Sequence, residues 1–283
     1  MIELPARLLL TSIAAATAAG YACSTSGVFV VRMNLSAIGF TMSHAAFAGA
    51  AFALWVGIDP LWGAVLFAIV TSVVLGPLSE RVRLKAEVTL GFLFSLLMAL
   101  GFVFLNLVPG EAASAVALRI IWGSILSVDV NDVLYLAVLS VGILTFTVGF
   151  HKEILSVLFD RKMAEASGID TRMFYYSILL VTGLSVAFSL KLVGGLLVYA
   201  LIINPSSTAY QFLDDMKKII VASPIIGIAT SLCGFIFSLQ FDLPVGSSII
   251  IVSALVLAFS IAISPRRRKS GLRMMPAAAK PSH

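Results

Sequence analysis

Three histidines occur in the chain, and His44 is the one placed to do chemistry, eight residues into the apolar run Ser36–Gly57. A neutral imidazole in that position is a ligand for zinc- or manganese-like divalent ions, and an ionisable group inside an apolar span points to function. Phe40, Ala48 and Ala51 share its helical face. Ala45, Gly49 and Ala53 form a stripe of small residues that lets a neighbouring helix approach closely. His151 lies at the edge of another apolar run and His283 is the last residue. The sequence contains no metalloprotease-type histidine pair, no serine nucleophile elbow and no paired carboxylates inside an apolar run. No lysine follows a glycine, so a phosphate-binding loop is not encoded. These absences predict a non-enzyme that binds no cofactor of its own, with any ATP handled by another chain.

Two further stretches carry a functional pattern. In the polar segment His151–Arg172, Asp160 is expected to N-cap a short helix Arg161–Ser167, with Gly168 as its stop. Such a capped helix, with Met163, Ala164 and Glu165 on its surface, suits docking onto a soluble motor. The run Leu192–Ala209, LVGGLLVYALIINPSSTA, combines Gly194, Gly195 and Pro205 with Asn204, Ser206, Ser207 and Thr208. Broken helices with polar linings mark substrate paths in transporters.

The elements that hold these residues follow from composition. Of 283 residues, 60% are apolar and only 12% charged, with a mean hydropathy of +1.06. Soluble domains carry about 25% charged residues, so the chain is expected to be an all-α polytopic membrane protein. Soluble domains, disorder and a disulfide scaffold are excluded, the last because only Cys23 and Cys233 are present. Hydropathy marks eight spans: Leu8–Val31, Ser36–Gly57, Pro60–Leu78, Val88–Val108, Val133–Phe150, Phe174–Leu190, Ile219–Leu239 and Gly246–Ser264. A ninth, Leu192–Pro205, is short and expected to be broken. Leu8–Gly20 is read as a retained first span, because Glu3 and a single Arg7 make a poor signal-peptide start.

Nine spans with the N-terminus outside place Arg32, Arg81, Arg83, Lys85, Lys152, Arg161, Lys162, Arg172, Lys217, Lys218 and the tail bases Arg266, Arg267, Arg268, Lys269, Arg273 and Lys280 inside. Only Arg7, Arg119 and Lys191 remain outside, as the positive-inside rule requires. Glu3, Asp59, Glu111, Asp129, Asp132 and Asp242 give the outer face an acidic excess. The expected organisation is one transmembrane domain over 1–265, a cytoplasmic loop at 151–172 and a basic, disordered tail at 266–283.

Five stretches in order resemble the membrane permease subunit of the ABC importers for zinc, manganese and iron. They are IGFTMSHAAFAGAAFAL (38–54), WGSILSVDVNDV (122–133), FDRKMAEASGID (159–170), LVGGLLVYALIINPSSTA (192–209) and FDLPVGSSIIIVSALVLAF (241–259), and they span Gly27 to Ser264. The resemblance implies a homodimeric permease in the plasma or inner membrane of a prokaryote. Separate ABC ATPase subunits would dock at Asp160, Met163, Ala164, Glu165 and Gly168, and an extracytoplasmic metal-binding protein would deliver the ion. It further implies a translocation path lined by Thr41, His44, Asn204, Ser206 and Ser207, with His44 as a transient metal ligand. Phe40 stands where the family commonly has an acid, and Asn204 where it has isoleucine. Phe40 cannot ligate, which leaves open a related cargo such as a metal chelate. A gradient-driven secondary transporter is the other alternative, and the lack of carboxylates within the spans argues against it.

Overall fold

The computed structural model of the protein describes residues 6–81, 86–109, 123, 128–194 and 198–264. Among these residues every regular element is a helix: α1 (Ala6–Arg32), α2 (Ile38–Val56), α3 (Pro60–Arg81), α4 (Ala86–Leu107), α5 (Val130–Gly149), α6 (His151–Phe159), α7 (Arg161–Ala166), α8 (Thr171–Val193), α9 (Val198–Phe212), α10 (Met216–Phe241) and α11 (Val245–Ile263). Lipid offers backbone groups no hydrogen-bond partner, so apolar runs of this length close their own bonds as helices. Eight of them, α1 to α5, α8, α10 and α11, are long and apolar enough to cross a membrane. Each coincides with one of the eight hydropathy runs. The basic tail and most of the 122–127 stretch lie outside the described residues.

The ninth segment is α9, 15 residues long and therefore about 22 Å. Its neighbours require it. The first turns of α8 and α10 share one apolar cluster, in which Phe174 and Ile178 pack with Ile219 and Ile220. Both helices therefore start at the same end of the bundle, and α9 must bring the chain back between them. Its interruption is not where proline suggests. Pro205 lies inside α9, which continues past it to Phe212; the chain leaves helical geometry at Gly194, whose φ is +93°. Ser206 donates from Oγ to the Ile202 carbonyl at 2.9 Å, next to the Leu201 carbonyl that Pro205 leaves without its helical N–H donor.

The bundle is built around α1, α2 and α8, whose span windows are 72%, 78% and 61% buried, whereas α4, α5 and α11 are at 28%, 22% and 28%. Small residues permit that density. A Cβ added at Gly27 of α1 would sit 1.9 Å from the Ile202 carbonyl oxygen of α9, and one at Gly20 would sit 2.8 Å from the Gly227 oxygen of α10. Hydroxyls complete the seams. Ser223 donates to the Ser24 carbonyl at 2.9 Å, Ser26 and Ser185 lie 3.0 Å apart, and Ser140 donates to the Ala18 carbonyl at 3.2 Å. The stripe on α2 acts as expected: a Cβ at Gly49 would stand 2.1 Å from the Gly63 oxygen of α3.

Backbone-to-backbone contact at Gly27 makes a paired prediction. Gly27→Ala should destabilise the detergent-solubilised protein by about 2 kcal/mol, the range of overpacked cores. Gly91→Ala, where a Cβ meets nothing within 4 Å, should be neutral or stabilising by up to about 1 kcal/mol. Thermal unfolding of the two variants checks the contrast.

Candidate functional site

His44 sits in the first half of α2 and is 6% exposed. Its Nδ1 lies 2.8 Å from the Phe40 carbonyl oxygen. A carbonyl only accepts, so Nδ1 carries the proton and donates it, and Nε2 keeps its lone pair. Phe94 of α4 meets the imidazole edge-on with ring centroids 4.5 Å apart. Phe40, one turn before His44, stacks on Tyr199 of α9 at 3.8 Å and meets Phe94 at 6.3 Å. The imidazole thus meets a ring of α4, and Phe40, one turn before it, meets rings of α4 and α9. Among the described residues no three His, Cys, Asp or Glu side chains gather as a metal cage, so His44 offers one nitrogen ligand by itself.

The other sequence-predicted path residues do not converge on that imidazole. Thr41 is fully buried and donates from Oγ1 to the Leu90 carbonyl of α4 at 3.1 Å, on the same side of α2 as His44. Asn204 donates from Nδ2 to Ser253 Oγ of α11 at 3.0 Å. Ser206 is fully buried and faces α1, since a Cβ at Gly27 would come within 2.9 Å of its Oγ. Ser207 is half-buried on α9. Phe94, which meets the imidazole, and Tyr199, which stacks on Phe40, escaped sequence reading because aromatic residues in apolar runs carry no positional signal.

The second site is the surface formed by α6 and α7. Asp160 caps α7, its Oδ1 accepting from Lys162 N at 2.8 Å and Met163 N at 3.1 Å. Gly168, at φ +83°, closes the other end: its N–H bonds the Glu165 carbonyl and Ile169 N–H bonds the Ala164 carbonyl, a Schellman stop. Helix α7 ends at Ala166 rather than Ser167, since Ser167 already belongs to that stop. Ala164 is 3% exposed and packs inward, whereas Met163 is 67% exposed and Phe159 78%. Arg32 at the end of α1 donates from Nε to the Leu158 carbonyl at 3.0 Å. A cavity of about 690 Å³ opens between Arg32, Phe159, Met163, Tyr210 and Asp215. The last turn of α6, next to α7, is thus bonded to the end of α1.

One pair departs from the expectation that no carboxylate enters a span. Helix α5 starts at Val130, three residues before the hydropathy run, so Asp132 lies in its first turn. Its Oδ2 accepts from Asp129 N at 2.9 Å, and that back-bond lets the helix begin early. Lys191, in the last turn of α8, donates to both carboxylate oxygens at 3.0 and 3.2 Å. The Asp-x-x-Asp spacing was the available signal, and hydropathy averaging hid it.

A bundle of membrane-crossing helices with one short broken helix, a capped helix on one end and an imidazole among the helices defines a polytopic membrane transport protein. The chain belongs to the ABC 3 transport family, which it matches over residues 6–264. It is 29% identical over 260 residues to the manganese transport system membrane protein MntC of Halalkalibacterium halodurans, covering 92% of this chain and 88% of that protein. It is likewise 29% identical over 245 residues to the probable iron transport system membrane protein of Haemophilus influenzae, covering 87% and 89%. Among solved structures, PsaBC from Streptococcus pneumoniae in complex with Fab contains a chain that superposes with a TM-score of 0.83 at 26% identity, covering 94% of this chain and 95% of that one.

The α7 cap is testable by itself. Asp160→Ala should cost about 1 kcal/mol locally, raising amide hydrogen exchange at Lys162 and Met163 about fivefold. Asp160→Asn, which keeps an accepting oxygen, should leave exchange near that of the parent.

Proposed function

We propose that this chain is the transmembrane permease of an ATP-driven importer for a divalent metal ion, with manganese the first candidate and iron the second. The observation that carries the reading is the family match along nearly the whole chain, including the segments that hold His44 and α7. Relatives named for manganese and iron transport supply the cargo class. The functional unit is two copies of the chain in a prokaryotic cell membrane, with N-termini outside, C-termini inside and the path between them. Residues 1–265 act as one membrane domain, and the tail 266–283 lies on the inner face. The chain is not an enzyme and holds no cofactor; the metal ion is its cargo.

Two ATPase subunits dock on α6 and α7, where Asp160, Met163, Glu165 and Gly168 face outward and Ala164 seats the helix on the bundle. A binding protein delivers the ion to the opposite face. When the motors close, α7 moves, and the Arg32–Leu158 bond passes the displacement to α1. Because α1 contacts α5, α8, α9 and α10, the helices of one half turn together. At His44, Nε2 offers a lone pair to the ion. One neutral nitrogen holds a divalent ion weakly, which suits passage rather than storage. Thr41, Asn204, Ser206 and Ser207 supply hydroxyl and amide oxygens along α2 and α9.

His44→Ala should reduce ATP-dependent manganese uptake by reconstituted vesicles by about tenfold or more, the scale of losing a metal-site partner. Assembly with the ATPase should be unchanged. Uptake at the parent rate would make the imidazole a packing residue.

A further inference from the structure

Helix α7 has little hold of its own on the bundle. It is six residues long and buries one side chain, Ala164. A helix this short is unstable in isolation, and the dispersion contacts of a single methyl group resist sliding only weakly. Arg161, its first residue, supplies a directed contact. Its Nε donates to Thr171 Oγ1 of α8 at 3.4 Å. Its guanidinium carbon lies 5.3 Å from the centre of the Tyr175 ring, inside the reach of about 6 Å for a cation–π contact. Thr171 and Tyr175 stand one turn apart on the same face of α8, so one side chain spans the first turn of that helix.

From Tyr175 the packing runs on to the helix that holds His44. Tyr176 follows on α8, and its ring fills the space that a Cβ at Gly76 of α3 would take. Only glycine allows that approach. One turn back along α3, the Ser72 hydroxyl lies 3.2 Å from the Leu179 carbonyl of α8 and 3.8 Å from Met42 Sδ of α2. A Cβ at Gly183 of α8 would come within 3.0 Å of Ser72 Oγ and 3.3 Å of Met42 Sδ. Three helices thus meet at one buried point, just before His44 on α2. This route is separate from the Arg32–Leu158 bond, which ties α6 to α1.

We propose that Arg161 is the residue that makes α8 follow α7, and that through α8 and α3 it carries the motion of a docked ATPase to α2. The inference rests on the reading of α7 as the ATPase contact. Arginine suits the task because its planar guanidinium stacks on an aromatic face while its N–H groups point at a fixed acceptor, which an ammonium cannot do. Arg161 is a positioning residue, acting through α8 rather than on the cargo. Without it, α7 slides under the motor and ATP is hydrolysed without moving α2.

The test uses the chain assembled with its ATPase in liposomes, with the binding protein and manganese(II) supplied. Arg161→Gln removes the charge and Tyr175→Leu removes the ring face. Each should lower the manganese moved per ATP hydrolysed about fivefold, the lower end of site-to-site couplings, with assembly unchanged. Tyr175→Phe keeps the ring and should match the parent. Arg161→Gln/Tyr175→Leu should be no worse than either single variant, because the two side chains form one contact. An assembled Tyr175→Leu complex with the parent ratio overturns the proposal, even beside an impaired Arg161→Gln, since the arginine would then act by touching the ATPase directly. If Tyr175→Leu does not assemble, Tyr175→Met, which also lacks a ring face, takes its place with the same expected loss. A second arm needs no cargo. Adding ATP to the parent complex should change amide hydrogen exchange in α7 and in the first turn of α8. In Tyr175→Leu the α8 change should shrink about fivefold while the α7 change remains. An equal α8 change in both complexes overturns the proposal. An α8 change lost in vesicles that move no manganese supports it and counts against manganese as cargo. An α7 that does not respond to ATP in the parent overturns the docking reading and this inference with it.

Discussion

Close backbone contact along α1 is the constraint on which the rest of the structure depends. Lipid tails are as apolar as leucine, so helices in a bilayer gain nothing by burying apolar surface against each other. Close van der Waals contact and interhelical hydrogen bonds must hold them. Helix α1 provides both. Its glycines bring the backbones of α9 and α10 within the reach of a missing Cβ. Its carbonyls at Ala18, Ser24 and Val28 accept hydroxyls from α5, α10 and α9. Hydroxyls that could close bonds within their own helices are thereby shared between helices. A bulky residue in that seam would separate elements that carry different parts of the function.

The same seam gives the molecule its direction of action. At one end, α1 finishes at Arg32, hydrogen-bonded to the last turn of α6. Asp160, Asp170 and Asp215 there cap α7, α8 and α10, so the three polar turns are short and firm. At the other end, Lys191 and Asp132 join the end of α8 to the start of α5, and Gly123 rests on the backbone at Gly194. The α8–α9 junction is thus braced by Gly123, and Val198 N–H bonds the Gly194 carbonyl across it at 3.1 Å.

Much of this was legible in the sequence, for physical reasons. Span positions follow from hydropathy because only helices satisfy the backbone in lipid. The α7 cap and stop were readable because aspartate before a helix and glycine after it have local causes. The α2 stripe at Ala45, Gly49 and Ala53 announced a close neighbour. What sequence could not supply was partner identity. Pro205 looked like a break because proline lacks an N–H, yet the helix continues through it to Phe212. Asp132 looked like loop because hydropathy averages over a window, while its start signal is a single back-bond. Ser206 was legible as a polar group of α9, but the neighbour its helix phase turns it towards, Gly27, was not. Phe94 was invisible, since its meaning comes only from the imidazole it meets.

The most direct test of the account is uptake of manganese(II) into liposomes with the binding protein present throughout, comparing the chain alone with the chain assembled with its ATPase. The account predicts no accumulation by the chain alone, under ATP or under a proton or sodium gradient. It predicts ATP-dependent accumulation only when the ATPase is present, because no phosphate loop is encoded here. Accumulation by the chain alone, driven by an ion gradient, would contradict it.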